Sequence, residues 1–321
     1  MIKVQHLSKH FCNVKAVDDI SFEVKEHDNL ILLGTSGCGK TTTLKMINRL
    51  IEADGGEIFI NGKSIKAQSR EELRIGIGYV LQNNGLFPHY TVAQNIAIVP
   101  QLLKWDKKRI EKRTAELLEK LRLTTDYLKA YPAELSGGQQ QRVGLARALA
   151  ANPAVLLMDE PFAALDNVTR SKIHAEFKAL DELKRKTIIM VTHDVQEAFE
   201  LGDRICLMDK GKIVQEDTPS NLLFKPANDF VKGFLQEQRL QLEFKTATLF
   251  DIWQWLPTLE KEVKANSLST DINLWSGLEY FKFNADEKIN IRHTRNHEVK
   301  TAGFEQLMTA FYQFKKQQAH E

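Results

Sequence analysis

The sequence predicts an α/β fold in which a parallel sheet carries a phosphate-binding loop at the end of one strand. Three observations predict it. GTSGCGKT, Gly34 to Thr41, has the spacing G-x-x-x-x-G-K-[ST] between the apolar run Leu30-Ile31-Leu32-Leu33 and a helical run that includes Leu44-Lys45-Met46-Ile47. Two later runs, AVLLM (Ala154 to Met158) and TIIMV (Thr187 to Val191), are continuously apolar, as strands covered on both faces are. Between the loop and these runs, residues from about 91 to 150 are helical in pattern.

The elements follow in order. Residues 1–33 read as short strands, with SFEV and LILL separated by the turn-like EHDN. GEIFINGKSI alternates on either side of Asn61-Gly62, a two-residue hairpin signal, so an antiparallel subdomain accompanies the loop. In KKRIEKRTAELLEKLRL, Ile110, Thr114, Leu117, Leu118 and Leu121 share one face of an ordinary amphipathic helix. RICLMDKGKIVQ reads as a later hairpin. Thr218-Pro219 opens a short helix, with threonine as cap and proline in the first turn.

Glutamine and charge accumulate near 235–245, which sets the expected domains at 1–238 and 239–321, with a helical subdomain at about 88–152. The C-terminal region is rich in Trp and Phe and is expected to be a small α+β module, regulatory or dimerising. Phe304, Leu307, Met308, Phe311 and Phe314 recur at helical spacing, as core or else as a dimer contact. His293 and His297 are four apart in a polar setting without cysteine, which favours a solvated loop over a metal site.

Composition narrows the class. The 321 residues are 43% hydrophobic and 27% charged, as in a soluble globular protein. A formal net charge of +2 argues against nucleic acid as the main partner. Three widely spaced cysteines, Cys12, Cys38 and Cys206, argue for a reducing compartment and against a disulfide framework. The N-terminal MIKVQHLSKHF lacks the apolar core of a secretory signal, and no run approaches the ~18 apolar residues of a membrane span. If the protein works at a membrane, another polypeptide crosses it.

The loop's composition has a direct physical reason. Backbone N–H groups converge on an anion only where side chains stay clear, and the following helix adds its positive N-terminus. Lys40 then reaches the β- and γ-phosphates of a nucleoside triphosphate, and the Thr41 hydroxyl reaches Mg²⁺. LLMDEP ends an apolar strand in two carboxylates: Asp159 suits the metal, and Glu160 suits polarisation of an attacking water. LSGGQQQR, Leu135 to Arg142, opens a helix that Ser136 would cap, with Gly137 and Gly138 leaving its N–H groups bare. One site does not need two phosphate cradles from one chain, whereas two chains facing head to tail would pair each cradle with the other's.

The set GTSGCGKT, Gln82 in YVLQNNG, LSGGQ, LLMDEP, Ala164-Leu165-Asp166 and His193 in VTHD resembles the ATP-binding subunit of ABC transporters over residues 1 to about 235. The resemblance implies an ABC ATPase core of the P-loop NTPase class. It implies that Phe11 stacks on adenine, although Cys12 stands where many members have glycine. It implies that Gly34, Thr35, Ser36, Gly37, Cys38, Gly39, Lys40, Thr41 and Thr42 cradle the phosphates. Gln82 would contact Mg²⁺ and the water and sense a membrane partner. His193 would hold the γ-phosphate, and Asp166 would lie at the dimer contact. Ser136, Gly137, Gly138 and Gln139 would touch the nucleotide of the other subunit. ATP and Mg²⁺ are the implied cofactors, Thr41, Gln82 and Asp159 the implied metal contacts, and Lys40, Gln82, Glu160 and His193 the implied catalytic set.

A finer resemblance, in QNNGLFPHYTVAQNIAIVP, YPAELSGGQQQRVGLARALAANP and HDVQEAFELGDRICLMDKGKIVQ, is to quaternary-amine uptake systems for glycine betaine, choline, carnitine or proline betaine. It implies permease subunits, an extracytoplasmic binding protein acting indirectly, a homodimer of ATPase subunits, and a peripheral position on the cytoplasmic face of the cell membrane. Members of that subfamily often carry tandem CBS domains at the C-terminus, a pattern that residues 239–321 lack. Three alternatives stay open: an importer of methionine or another small polar solute, a soluble ABC ATPase outside transport, and a regulatory module that hydrolyses poorly.

Overall fold

The computed structural model describes residues 2–82, 85–163, 165–258, 267–282 and 288–320, with the backbone alone at 167, 168, 171, 319 and 320. Asn83, Asn84 and Ala164, which belong to the motifs above, lie outside the described residues. By packing, the chain forms two compact units, Met1–Glu216 and Asp217–Glu321.

In the first unit, β1 (Ile2–Phe11), β2 (Val14–Val24), β4 (Gly55–Ile60) and β5 (Lys63–Ser64) form an antiparallel sheet in the order β2-β1-β4-β5. The hairpin at Asn61-Gly62 closes with both residues at positive φ, 51° and 75°, the conformation that Asn-Gly favours. The second sheet has the order β10-β9-β3-β8-β7-β6. Its strands are β3 (Asn29–Gly34), β6 (Ile77–Val80), β7 (Val155–Asp159), β8 (Thr187–Thr192), β9 (Arg204–Asp209) and β10 (Lys212–Asp217). The five strands from β9 to β6 run parallel. Every residue of β7 and β8 is buried, so their continuous apolarity has its expected cause.

Helix α1 (Lys40–Ile47) follows β3 and buries Leu44, Met46 and Ile47 in a core shared by both sheets. Leu44 is 0% exposed, so Leu44→Ala would cost roughly 2–5 kcal/mol. Helices α2 (Arg70–Ile75), α3 (Val92–Leu102), α4 (Lys107–Lys120) and α5 (Gly137–Leu149) lie between β5 and β7 in sequence. In α4, Thr114, Leu117 and Leu118 are buried as the periodicity predicts. Helices α6 (Asn167–Ala179) and α7 (Val195–Leu201) flank β8.

The second unit holds α8 (Pro219–Phe224), α9 (Asp229–Leu235), α10 (Arg239–Thr246), α11 (Leu274–Glu279) and α12 (Phe304–His320). A small sheet, β11 (Ser267–Ser269), β12 (Ile289–Arg292) and β13 (Val299–Ala302), completes it. The unit is α+β, as expected. Its core takes in Leu307, Phe311 and Phe314, while Phe304 is 44% exposed and stands off the stripe. The packing division differs from the expected boundary after residue 238. Phe224 of α8 meets Phe314 edge to face, with centroids 5.2 Å apart, so α8 packs with the C-terminal helix. Among the described residues, no helix is long and apolar enough to cross a membrane.

Candidate functional site

In a parallel sheet the ligand edge is the carboxyl edge, and the register here aligns four strand ends. Leu33 pairs with Thr192, Val191 with Asp159, and Met158 with Val80. The residues after those ends are the phosphate loop, His193, Glu160 and the Gln82 turn. One edge therefore gathers four sequence motifs from widely separated segments.

The loop fits a polyphosphate. Thr35, Ser36 and Gly37 form its exposed crest, and Cys38, Gly39 and Lys40 are buried. Gly39 has φ 106°, and a Cβ there would lie 2.3 Å from Ala16 O; a Cβ on Gly34 would lie 2.2 Å from Met208 O. Both glycines are thus forced by close backbone approach. Gly39 is also the N-cap of α1 and supplies no side-chain cap, whereas α2, α3, α4, α5 and α7 each have one. The first N–H groups of α1 are left for a ligand with oxygen acceptors. Lys40 Nζ lies along the loop, donating to Gly34 O at 2.9 Å and Thr35 O at 2.8 Å.

The Cys38 side chain turns into the core, 2% exposed, and burial raises its thiol pKa. Its N–H donates to Thr35 O at 3.3 Å within the loop. Thr42, one residue into α1 beyond Thr41, is partly buried. Phe11 is 46% exposed at the end of β1, not a core residue, and pairs with Val14 just before the Ala16 backbone that abuts Gly39. Cys12 beside it has φ 50° and is exposed, a turn position that many residues occupy only under strain.

Two oxygens fit a hard divalent cation. Thr41 Oγ1 donates to Asp159 Oδ1 at 2.8 Å, which brings a hydroxyl and a carboxylate to one point. Asp159 is 4% exposed, and burial raises its pKa against the opposing effects of Thr41 and the lysines Lys45 and Lys40. Among the described residues no group of three His, Cys, Asp or Glu stands ready to hold a metal ion. The Thr41–Asp159 pair offers the one or two protein oxygens that Mg²⁺ takes when phosphate and water complete its shell.

Glu160 lies one residue beyond β7, with its backbone in the left-handed region at φ 44°. Its N–H donates to Val191 O at 2.9 Å, which pins the strained residue to β8. Its Oε2 accepts from Gln82 Nε2 at 2.9 Å and lies 3.2 Å from His193 Nδ1. Gln82, Glu160 and His193 therefore form one constellation, with the histidine side chain 59% exposed.

The signature segment stands apart. Ser136 caps α5 in a reciprocal box with Gln139, so both side chains are engaged with each other's backbone. A Cβ on Gly137 or Gly138 would meet Leu165, Thr169 and Ile173, residues that follow Glu160, and not the phosphate loop. Asp166 caps α6, its Oδ1 accepting from Thr169 N at 3.0 Å.

Two residues of the neighbourhood, Arg170 and Asn95, carry no sequence signal of their own. Arg170 donates to Asp194 Oδ2 at 2.9 Å and to Leu165 O at 2.8 Å, tying the segment after Glu160 to the one after His193. Asn95, 0% exposed, accepts from Phe87 N at 2.8 Å and donates to Tyr90 O at 3.0 Å, latching the loop that follows Gln82 onto α3. That loop borders an apolar groove of about 320 Å³ edged by Ile75, Leu81, Phe87 and Val99. Phe87 is 50% exposed and Ile75 45%, an unusual concentration of apolar surface beside the Gln82 turn. A larger cavity of about 720 Å³, at Arg109, Arg113 and Lys186, holds none of the candidate residues.

Residues 17–163 match the family model described as ABC transporter. The glycine betaine uptake system ATP-binding protein YehX of Escherichia coli is 44% identical over 308 residues, 96% of this chain and 99% of that protein. The chain belongs to the ABC transporter family. The cassette is also 51% identical over 241 residues to the glycine betaine/carnitine/choline transport ATP-binding protein OpuCA of Bacillus subtilis. That match takes in 75% of the cassette, which spans 63% of the relative's length. Among solved structures, the dimeric post-hydrolysis state of the ATP-binding cassette MJ0796 bound to ADP and Pi aligns with a TM-score of 0.61 at 33% identity. The alignment covers 68% of this cassette and 98% of that chain. The likeness to YehX covers so much of the cassette that it takes in most of Asp217–Glu321.

Proposed function

We propose that the cassette is the ATP-hydrolysing subunit of an importer for a small quaternary-amine osmoprotectant such as glycine betaine, choline, carnitine or proline betaine. The observation that carries it is the meeting of Gln82, Glu160 and His193 on the sheet edge that also bears Lys40, Thr41 and Asp159. The near full-length likeness to the betaine-uptake protein YehX supports the choice of cargo.

The uncapped start of α1 and Lys40 bind the β- and γ-phosphates. Mg²⁺, when bound through Thr41 and Asp159, supplies charge neutralisation on the phosphate oxygens. Glu160 accepts the proton of the attacking water as its oxygen bonds to the γ-phosphorus and the bond to the β–γ bridging oxygen breaks, releasing ADP and phosphate. His193 and Gln82 orient Glu160, and the exposed His193 would donate to a γ-phosphate oxygen. Phe11 offers an exposed ring for adenine to stack on.

Ser136, Gly137, Gly138 and Gln139 complete the site of a second copy, so two ATP molecules hold two cassettes face to face and hydrolysis parts them. Asp166 lies at that contact. The groove at Ile75, Leu81 and Phe87 accepts a short helix of the permease, at the cytoplasmic face of the cell membrane, and Gln82 links it to the base. An extracytoplasmic binding protein delivers the solute to the permease.

The test is a mild-detergent pull-down of the tagged cassette from its native membranes, with labelled glycine betaine uptake measured alongside. A co-purifying multi-span permease, and uptake abolished by Lys40→Ala, are expected. Ribosomal or DNA-repair partners without a permease would overturn the transport reading.

A further inference from the structure

The C-terminal unit contains a cavity of about 390 Å³ whose lining includes Phe250, Asp251, Trp253, Trp255, His293 and Phe314. Its size falls within the usual range for small-molecule sites. We propose that it binds a small quaternary-ammonium solute, with Trp255 and Asp251 as the principal contacts.

The chemistry of the lining carries the proposal. Among the described residues that line it, Asp251 is the one acidic side chain and none is lysine or arginine. Its Oδ2 is used locally, accepting from Thr248 N and Thr248 Oγ1 at 2.8 Å each, while Oδ1 has no partner among the described residues. Such a carboxylate beside aromatic rings attracts a cation that forms no hydrogen bonds of its own. A quaternary ammonium is that cation, because it loses little on leaving water and gains from the electron-rich ring faces.

The rings differ in availability. Lys300, 7% exposed, lies 4.8 Å from the centroid of Trp253 and is held by the carbonyls of Trp253 and Leu256. Arg295 lies 5.2 Å from the centroid of Phe250. These two rings therefore already serve cations that belong to the fold. Trp255 meets Phe314 edge to face at 6.3 Å and has no cation over it among the described residues. His293 accepts from Arg295 N and Asn296 N through Nδ1, which fixes its ring beside Trp253, with centroids 5.1 Å apart. The cavity wall is thus held in place without a ligand.

The choice of natural solute rests on the proposed cargo; the chemical class does not. Isothermal titration of the purified full chain with tetramethylammonium, choline and glycine betaine tests both. Saturable binding is expected with a dissociation constant on the order of 1 mM. The uncharged carbon isostere of choline, 3,3-dimethylbutan-1-ol, should bind about tenfold more weakly. Trp255→Leu should weaken choline binding by about tenfold, and Asp251→Asn, which keeps an acceptor for Thr248, by several-fold. Thermal melts check that both variants fold, and ATP should not compete.

Absence of saturable binding by all three cations, equal binding of choline and its isostere, or unchanged affinity in both folded variants would overturn the proposal. Binding of tetramethylammonium by a cassette that powers no quaternary-amine uptake would leave the pocket standing and remove the cargo. Uptake without binding would do the reverse.

Discussion

Gln82 donates its carboxamide N–H to Glu160 Oε2 at 2.9 Å, joining the turn after β6 to the end of β7. The same turn leads into the loop bearing Phe87, which Asn95 fastens to α3. Under the proposed function, a displacement of the permease at the apolar groove would reach the carboxylate along this path. Two neighbouring contacts, one with His193 and one with Gln82, set the orientation of that carboxylate.

Gln82→Ala is expected to lower hydrolysis by roughly ten- to a hundredfold, the scale for disturbing general-base positioning. If the path operates, permease-stimulated turnover falls more than turnover of the isolated cassette. Steady-state ATPase assays of both forms check it; an equal loss in the two would leave Gln82 with no part in coupling.

Asp159 carries a desolvation cost for its charge, since burial raises its pKa. Its ionised form is thus less favourable in the fold than in the unfolded chain, and stability falls as pH rises through the unfolded value. Asp159→Asn should raise the melting temperature of the nucleotide-free protein while abolishing Mg²⁺-dependent hydrolysis. Calorimetry with and without Mg²⁺ADP separates the two effects; a lowered melting temperature without nucleotide would contradict the reading.

His174 is 3% exposed, with Nδ1 3.1 Å from Glu200 and Nε2 3.6 Å from Glu197. Burial alone pulls its pKa down, but the two carboxylates outweigh it and push it up to about 9. The folded pKa lies above the unfolded value, so the stabilisation is fully present below about pH 6.5 and is lost as pH rises through 9. Urea midpoints should fall between pH 7 and pH 10, and His174→Gln should flatten that fall. A slope unchanged in the variant would show that the ion pairs do not govern it.

Much of the site was legible in the sequence because its residues are adjacent in the chain and chemically unusual. Gly34 to Thr41 cannot be an ordinary strand-to-helix turn, and the acids at 159 and 160 terminate a run too apolar to be exposed. The layered fold followed from the unbroken apolarity of β7 and β8 and from Asn61-Gly62. The residues that tie segments together were not legible: Arg170 and Asn95 look like any arginine and asparagine until folding brings their partners near. The packing division of the chain was not legible for a related reason. Helices α8 and α9 lie before the charge-rich stretch, yet Phe224 finds its partner in α12, a pairing no local pattern announces. The loop from His293 to His297 is largely exposed, as its polar residues suggest, but the packing of the His293 ring beside Trp253 and Phe250 had no local signal.

Under the proposed function, each ATP is shared between the phosphate loop of one cassette and the Ser136–Gln139 segment of another. Glu160→Gln keeps the side chain's size and removes the base, so ATP binds without turnover. Analytical ultracentrifugation of this variant with Mg²⁺ATP should show a dimer that dissociates when ADP replaces ATP, and that Ser136→Arg, added to the variant, prevents. A Glu160→Gln protein that binds ATP and remains monomeric would contradict the shared site.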